Sequence, residues 1–356
     1  MIPPGETIGI LGGGQLGRML AMAAAQLGYR AHVYAPEADS IAAEVCGGFT
    51  CAGWYDAEAL ARFARDCAVI TYEFENVPVA PLVALGEARV LPDRHALGIA
   101  QDRLAEKRFA EGLGGVPAAY AEVDSPADLD AAIATVGAPG ILKTRRDGYD
   151  GKGQWRIEGG RIMTPADAAA LDLPAKPLIY EALVDFIAEF SVILVRGADG
   201  DIRFWDSAEN VHKGGILSRS TVPASAPVGA QIPAARELAR KAAEALDYVG
   251  VLTLEFFATA AGPVFNEMAP RVHNSGHWTI EGALTSQFEN HIRAICGLPL
   301  GDTALAAKGV EMRNVIGDAA EDWPAILSDP ANHLHLYGKA AARPGRKMGH
   351  VTRLIL

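Results

Sequence analysis

Long apolar runs are missing from this chain of 356 residues. None approaches the roughly 18 residues that a membrane-spanning helix needs. The opening Met1–Glu6 lacks the basic start and apolar stretch of a secretory leader. Cysteine is scarce. Cys46, Cys51, Cys67 and Cys296 form no C-x-x-C pair and are too few to staple so long a chain. Reduced thiols in a cytoplasmic protein are therefore expected. Basic residues are in deficit, 32 Lys and Arg against 43 Asp and Glu, for a formal charge of −11. That argues against a general nucleic-acid binder, which carries a basic footprint. Any anionic ligand must be held by local groups of Arg, Lys and backbone N–H. What is present is ordinary: 50% apolar and 21% charged residues, enough to bury a full core. At roughly 150 residues per domain the length predicts two or three domains.

Strand and helix signals alternate through residues 1–99: strands at 7–11, 31–34 and 68–72, helices at 15–27 and 56–65. This β-α-β-α-β order predicts a Rossmann-like α/β domain with a parallel sheet and right-handed crossovers. The pattern changes near Ala100. Residues 100–297 read as an α+β unit. Its helices fall at 102–113, 128–136, 231–246 and 281–295, and its strands at 140–144, 178–184, 189–195, 202–206 and 216–222. A hairpin joins 249–257 to 263–268. Short strand signals at 311–316, 333–337 and 348–356 predict a small β-rich cap over 298–356.

Four segments carry chemistry. In the first, Gly12-Gly13-Gly14-Gln15-Leu16-Gly17 sits between a strand and a helix. Glycines there let backbone N–H groups approach an anion at the helix N-terminus. Three readings stay open: a dinucleotide with Glu37 or Asp39 as its acid, another phosphate-bearing ligand, or a tight turn without ligand. In the second, Lys143 ends a strand and a basic loop follows with Gly148, Gly151 and Gly153. Such a loop can fold over phosphates; the alternative is a solvated hairpin tip.

The third segment is the hairpin. Glu255 and Glu267 each lie six residues from position 261. A turn around Ala260-Ala261-Gly262 would set them opposite each other, with Phe257 and Phe265 paired on the same face. At 4 Å their repulsion is about 4 kcal/mol for an effective dielectric of 20. A bound Mg²⁺ removes that cost and commonly joins carboxylates to phosphates. Asn266 adds a neutral oxygen only if a bulge interrupts the alternation. The alternative is a one-residue register shift that separates the acids.

The fourth segment follows at once, Arg271-Val272-His273-Asn274-Ser275-Gly276-His277-Trp278. The planar fork of Arg271 suits a carboxylate or carbonate-like anion. His273 is a candidate proton carrier. His277 and Trp278 read as packing. Beyond these, Glu73 and Glu75 end the third strand, where open α/β sheets bind ligands. Lys339, Arg343, Arg346 and Lys347 form a late basic cluster suited to a phosphate or to solvent.

Together the glycine-rich first domain, the basic loop and the paired late acids resemble the ATP-grasp superfamily. The likeness to one family within it is carried by Gly12–Leu20 (GGGQLGRML), Tyr72–Val77 (YEFENV), Gly148–Trp155 (GYDGKGQW), Asn266–Trp278 (NEMAPRVHNSGHW) and Arg343–His350 (RPGRKMGH), in that family's order. These segments resemble the ligases that carboxylate 5-aminoimidazole ribonucleotide with ATP and bicarbonate. The resemblance implies an ATP-grasp fold, ATP and Mg²⁺ as cofactors, carboxyphosphate as intermediate and a homodimer, with no nucleic-acid or membrane partner.

It also implies roles. Arg103, Lys143, Gly148, Tyr149, Asp150, Gly151, Lys152, Gly153 and Gln154 would hold the ATP phosphates. Glu181, Ala182, Leu183 and Val184 would line the adenine, Glu189 would meet the ribose, and His212 would approach the nucleotide. Glu255 and Glu267 would hold the metal, with Asn266 nearby. Arg271, His273 and Asn274 would hold bicarbonate. Gly14, Gln15, Glu73, Tyr149, Asp150, Arg271, Lys339, Arg343 and Arg346 would surround the ribonucleotide. A nicotinamide oxidoreductase is the competing class, and it leaves the acid pair and the basic loop unexplained.

Overall fold

The computed structural model describes residues 1–146, 148, 153–158, 161–162 and 176–356. Strand β1 (Thr7–Leu11) lies inside a parallel sheet with β2 (Arg30–Ala35), β3 (Gly48–Cys51) and β4 (Val69–Tyr72), in the order β3-β2-β1-β4. Its Ile8–Leu11 run is buried throughout, as suits a parallel strand covered on both faces. The helix Gln15–Gln26 crosses from β1 to β2 and buries Leu16, Met19, Leu20 and Ala23 at helical spacing. Gly28, at φ +80°, stops it. The edge strand β3 was not anticipated. Its four residues are half-buried or exposed, so they lack the apolar pattern that marks a strand.

An antiparallel sheet follows: β5 (Tyr120–Val123), β6 (Gly140–Thr144), β7 (Gln154–Glu158), β8 (Arg161–Ile162) and β9 (Leu178–Ala182), in the order β5-β9-β6-β7-β8. The helix Pro126–Val136 packs on it over Val123, Leu142 and Tyr180.

The third sheet is the largest. It comprises β10 (Ala188–Arg196), β11 (Ile202–Phe204), β12 (Ala208–Lys213), β13 (Ile216–Val222), β14 (Gly250–Thr259), β15 (Gly262–Ala269), β16 (Gly309–Ile316), β17 (Asn332–Leu336) and β18 (Lys347–Ile355). The path runs β15-β14-β10-β12-β13-β16-β18-β17, with β11 beside β10. The last three strands therefore extend this sheet through the β13–β16 pairing. One face buries Phe190, Leu252, Phe256 and Phe265 with the helix Ile232–Ala245. The other face is apolar at Ile193, Val195 and Val251, beneath the helix Gln287–Ile295, and turns polar at Glu189, Ser191 and Glu255. The expected helix 281–295 is two pieces, Thr279–Gly282 and Gln287–Ile295. Ser286 caps the second by accepting from the Glu289 N–H. β12, Ala-Glu-Asn-Val-His-Lys, was unanticipated because it carries polar groups on a face that builds the site.

His291 joins the first sheet to the third. Its Nδ1 accepts from the Val251 N–H at 3.1 Å, so its Nε2–H meets Thr71 Oγ1 at 2.8 Å. Burial holds its pKa down at about 3. All four cysteines are free. Among the described residues no helix is long and apolar enough to cross a membrane.

Candidate active site

Where the three sheets meet there is a cavity of about 1010 Å³. Its walls come from the end of β4, the helix Arg103–Gly112, β6, the β14–β15 hairpin, the segment after β15 and the residues around β18.

Glu255 and Glu267 are register partners. The geometry reaching that pairing differs from the simple symmetry about 261. The turn is tighter, with Thr259 opposite Gly262, so Phe256 rather than Phe257 pairs with Phe265. A bulge then leaves Asn266 without a partner and restores the acid pair. It also brings Asn266 to the cavity beside Glu267. Burial and the facing Glu267 push the Glu255 carboxyl up to about 7. A cation would relieve that repulsion. Among the described residues no three His, Cys, Asp or Glu side chains converge as a cage. Two carboxylates with space beside them fit a hard divalent ion that takes its remaining oxygens from a phosphate and water.

Arg271 is held by Glu75 through its Nε and donates from Nη1 to the Val272 carbonyl at 3.0 Å. Burial raises the Glu75 pKa, but Arg271 outweighs it and the net shift is downward. His273 Nε2 lies 3.2 Å from Glu255 Oε1. Gln287 clamps the His273 backbone, accepting from its N–H at 2.9 Å and donating to its carbonyl at 2.6 Å. Burial, then Arg271, Lys347 and His212, hold His273 well below the usual imidazole range, so it is neutral. Asn274 and Asn314 exchange hydrogen bonds at 3.0 and 2.7 Å.

On the opposite wall Asp102 caps its helix by accepting from the Leu104 and Ala105 N–H groups. The half-buried Arg103 and the buried Glu106 and Lys107 then fall one helical turn apart, on one face. Arg103 meets Glu267 at 3.4 Å. Glu106 accepts from the Met268 N–H, and burial with Glu267 nearby raises its pKa to about 8. Lys143 and Lys107 converge on Glu181 Oε2 at 2.9 and 3.3 Å. Burial opposes the charge on Glu181, yet the two lysines bring its pKa down to about 2. Glu106 and Lys107 had escaped the sequence reading, although their i+3 and i+4 spacing from Arg103 was a usable signal. Glu189 and His212, on adjacent strands, pair at 2.7 Å; burial lowers the His212 pKa, but Glu189 together with the Glu255 and Glu267 carboxylates raises it overall.

The glycine segment holds an anion, and it is internal. Glu73 accepts from the Gly14 N–H at 2.8 Å and the Gly17 N–H at 3.1 Å. Gly12 has φ +111°, and a Cβ there would meet Glu73 Cγ at 2.4 Å. These glycines make room for Glu73 at the helix N-terminus. Burial nonetheless raises the Glu73 pKa.

Of the expected residues, Gly14, Gln15, Glu73, Arg103, Lys143, Gly148, Gly153, Gln154, Glu189 and His212 line the cavity. So do Glu255, Asn266, Glu267, Arg271, His273, Asn274, Lys339 and Arg346. Glu181, Ala182, Leu183, Val184 and Arg343 do not. Glu181 turns back onto its lysines, and Arg343 is exposed. Tyr149, Asp150, Gly151 and Lys152 lie outside the described residues.

Three family models match the chain: a ribonucleotide synthetase preATP-grasp domain over residues 5–101, an ATP-grasp domain over 109–288, and a phosphoribosylaminoimidazole carboxylase C-terminal domain over 311–355. With the site just described they define an ATP-grasp ligase. The N5-carboxyaminoimidazole ribonucleotide synthase of Brucella melitensis is 52% identical over 355 residues, covering 99% of this chain and 97% of that one. The crystal structure of the Thermus thermophilus synthetase has a TM-score of 0.87 at 47% identity, covering 98% and 93% of the two chains. That of the Aspergillus clavatus synthase, in complex with ADP and 5-aminoimidazole ribonucleotide, has a TM-score of 0.87 at 32% identity, covering 98% and 94%. The chain belongs to the N5-carboxyaminoimidazole ribonucleotide synthase family.

Proposed function

We propose that this chain uses ATP to carboxylate 5-aminoimidazole ribonucleotide with bicarbonate, giving N5-carboxyaminoimidazole ribonucleotide, ADP and phosphate in purine biosynthesis. The observation that carries this is the meeting, in one cavity, of the opposed Glu255 and Glu267 with the Arg271–His273 segment. Acid pairs serve a metal–phosphate; a planar cation beside a neutral imidazole serves a carbonate-like anion.

Bicarbonate is a poor electrophile until one oxygen becomes a phosphate leaving group. Its oxygen attacks the γ-phosphorus, the bond to ADP breaks, and carboxyphosphate forms. The ribonucleotide amine then bonds to the carboxyl carbon, either of carboxyphosphate, from which phosphate leaves, or of CO₂ that carboxyphosphate has released together with phosphate, and the amine loses a proton. Lys143 and Arg103 hold the transferring phosphate, which needs positioning and charge neutralisation more than covalent help. Mg²⁺, where bound by Glu255 and Glu267, neutralises phosphate charge. Arg271, His273 and Asn274 hold bicarbonate; carboxyphosphate is short-lived in water, so the reaction requires that solvent be kept from it. Glu73, Lys339 and Arg346 face the ribonucleotide, and His212 and Glu189 the nucleotide. The three-part division at 1–99, 100–297 and 298–356 assigns these roles to successive segments. Free cysteines support a cytoplasmic location. The homodimer rests on the family likeness.

The test is ADP release with MgATP and bicarbonate, with and without the ribonucleotide. Strong dependence on the ribonucleotide supports the assignment. ADP release indifferent to it overturns the acceptor, and no release from folded protein overturns the activity.

A further inference from the structure

Beneath His273 runs a chain of buried polar groups that no step above uses. Ser275 Oγ lies 2.8 Å from His273 Nδ1 and 2.8 Å from Ser191 Oγ. Asn210 Nδ2 lies 3.2 Å from Ser191 Oγ, and Ser220 Oγ lies 2.7 Å from Asn210 Oδ1. Ser191, Ser220 and Ser275 are fully buried and Asn210 nearly so. These residues are anchored on β10, β12, β13 and the turn after β15, and Ser191 is the register partner of Glu255. Their positions are thus fixed by the sheet that fixes the acid pair.

Proton counting gives the chain a direction. The Ser275 backbone N–H points at His273 Nδ1 at 3.3 Å. An N–H cannot accept, so Nδ1 carries a lone pair and Nε2 carries the hydrogen. Ser275 Oγ–H must then donate to Nδ1. Its contact with Ser191 needs a hydrogen, which only Ser191 can supply. Ser191 accepts in turn from the Asn210 amide, and Asn210 Oδ1 accepts from Ser220. With Nδ1 fixed as an acceptor by the Ser275 N–H, each of the four contacts receives one hydrogen only if all point toward Nδ1. With the Asn210 amide reversed, the Ser191–Ser275 contact would hold none. The ring nitrogen beside Glu255 in the cavity is the protonated one.

We propose that Ser275, Ser191, Asn210 and Ser220 act as positioning residues that hold His273 in the neutral Nε2–H tautomer, whose hydrogen faces Glu255 Oε1 at 3.2 Å and is the donor offered to a carboxylate oxygen of bound bicarbonate. His273 then orients the anion and does not take a proton through Nε2. The identity of the anion rests on the function proposed above; the tautomer does not.

Two measurements separate these layers. Long-range ¹⁵N spectra of the ¹⁵N-histidine-labelled full chain, assigned by difference from His273→Asn, should show a pyridine-like Nδ1 and a pyrrole-like Nε2 for His273. A pyrrole-like Nδ1 overturns the proposal without reference to activity. In turnover, Ser275→Ala and Ser191→Ala should lower kcat/KM for bicarbonate about tenfold, the effect of one lost hydrogen bond, and leave KM for ATP unchanged. Ser191→Thr, which keeps the hydroxyl, should restore it. Wild-type turnover in Ser275→Ala overturns the positioning role, as does an equal loss toward bicarbonate and ATP. Absence of ligase activity in the unmutated protein overturns the reading of the cavity; the spectrum still decides the tautomer.

Discussion

Glu73 sits in the helix N-terminus that Gly14 opens, accepting the Gly14 N–H at 2.8 Å. A motif that commonly cradles a ligand's phosphate is here occupied by the chain's own carboxylate. The glycines hold Glu73 at the cavity wall, where the proposed reading has it face the ribonucleotide.

Glu73→Gln and Arg346→Ala should therefore each raise KM for the ribonucleotide about tenfold, a loss of roughly 1.4 kcal/mol. ATP affinity, read by titration calorimetry, should not move. Equal loss of both ligands would mean damage to the fold instead.

Glu267→Gln should abolish ADP formation and stabilise the metal-free protein. The folded-state pKa of Glu255 is raised to about 7 by burial and by Glu267. Its contribution to stability is thus full below the ordinary carboxylate range and is lost as pH rises through about 7. Removing Glu267 relieves that loss. Melting temperatures should favour the variant at pH above about 7 and converge with the wild type in acid. Added Mg²⁺ should raise the melting temperature of the wild type alone.

Glu181→Gln should cost about 3 kcal/mol at neutral pH, because it leaves Lys107 and Lys143 without their carboxylate. The folded pKa of Glu181 is depressed to about 2, so its contribution is present above the ordinary range and lost as pH falls toward 2. In urea titrations the gap between variant and wild type should close over that acid window.

His291→Leu should cost about 2 kcal/mol at neutral pH, since the Val251 N–H and Thr71 lose their partner. His291 titrates near 3 in the folded protein, against an ordinary 6.5. Its neutral burial stabilises above 6.5 and that contribution is lost as pH falls toward 3. The variant's stability should be flatter than the wild type's across that interval.

The legible parts of the chain are those where one local rule suffices. Ile8–Leu11 followed by Gly12–Gly17 reads as strand, turn and helix because burial, glycine and helical spacing agree. The 255/267 pairing was legible too, but for an incomplete reason. Symmetry about one residue cannot show a tighter turn and a compensating bulge, and the bulge is what brings Asn266 to the cavity. β12 was illegible because Asn210 and His212 spend their strand positions on the site rather than the core. The anion held by Gly14 could not be read either: Glu73 is 59 residues away, and no spacing rule spans that distance. Glu106 and Lys107 were legible in principle, by their helical offset from Arg103.

The cavity draws on Gly14 and Gln15 near one end of the sequence and on Arg346 and Lys347 near the other. During synthesis, the acid pair and the basic residues around Lys143 emerge well before the segment that carries Arg346. β18 then pairs with β16 and β17 and finishes the same sheet. On the proposed reading, the groups that face the nucleotide are thus made before the last of those that face the acceptor.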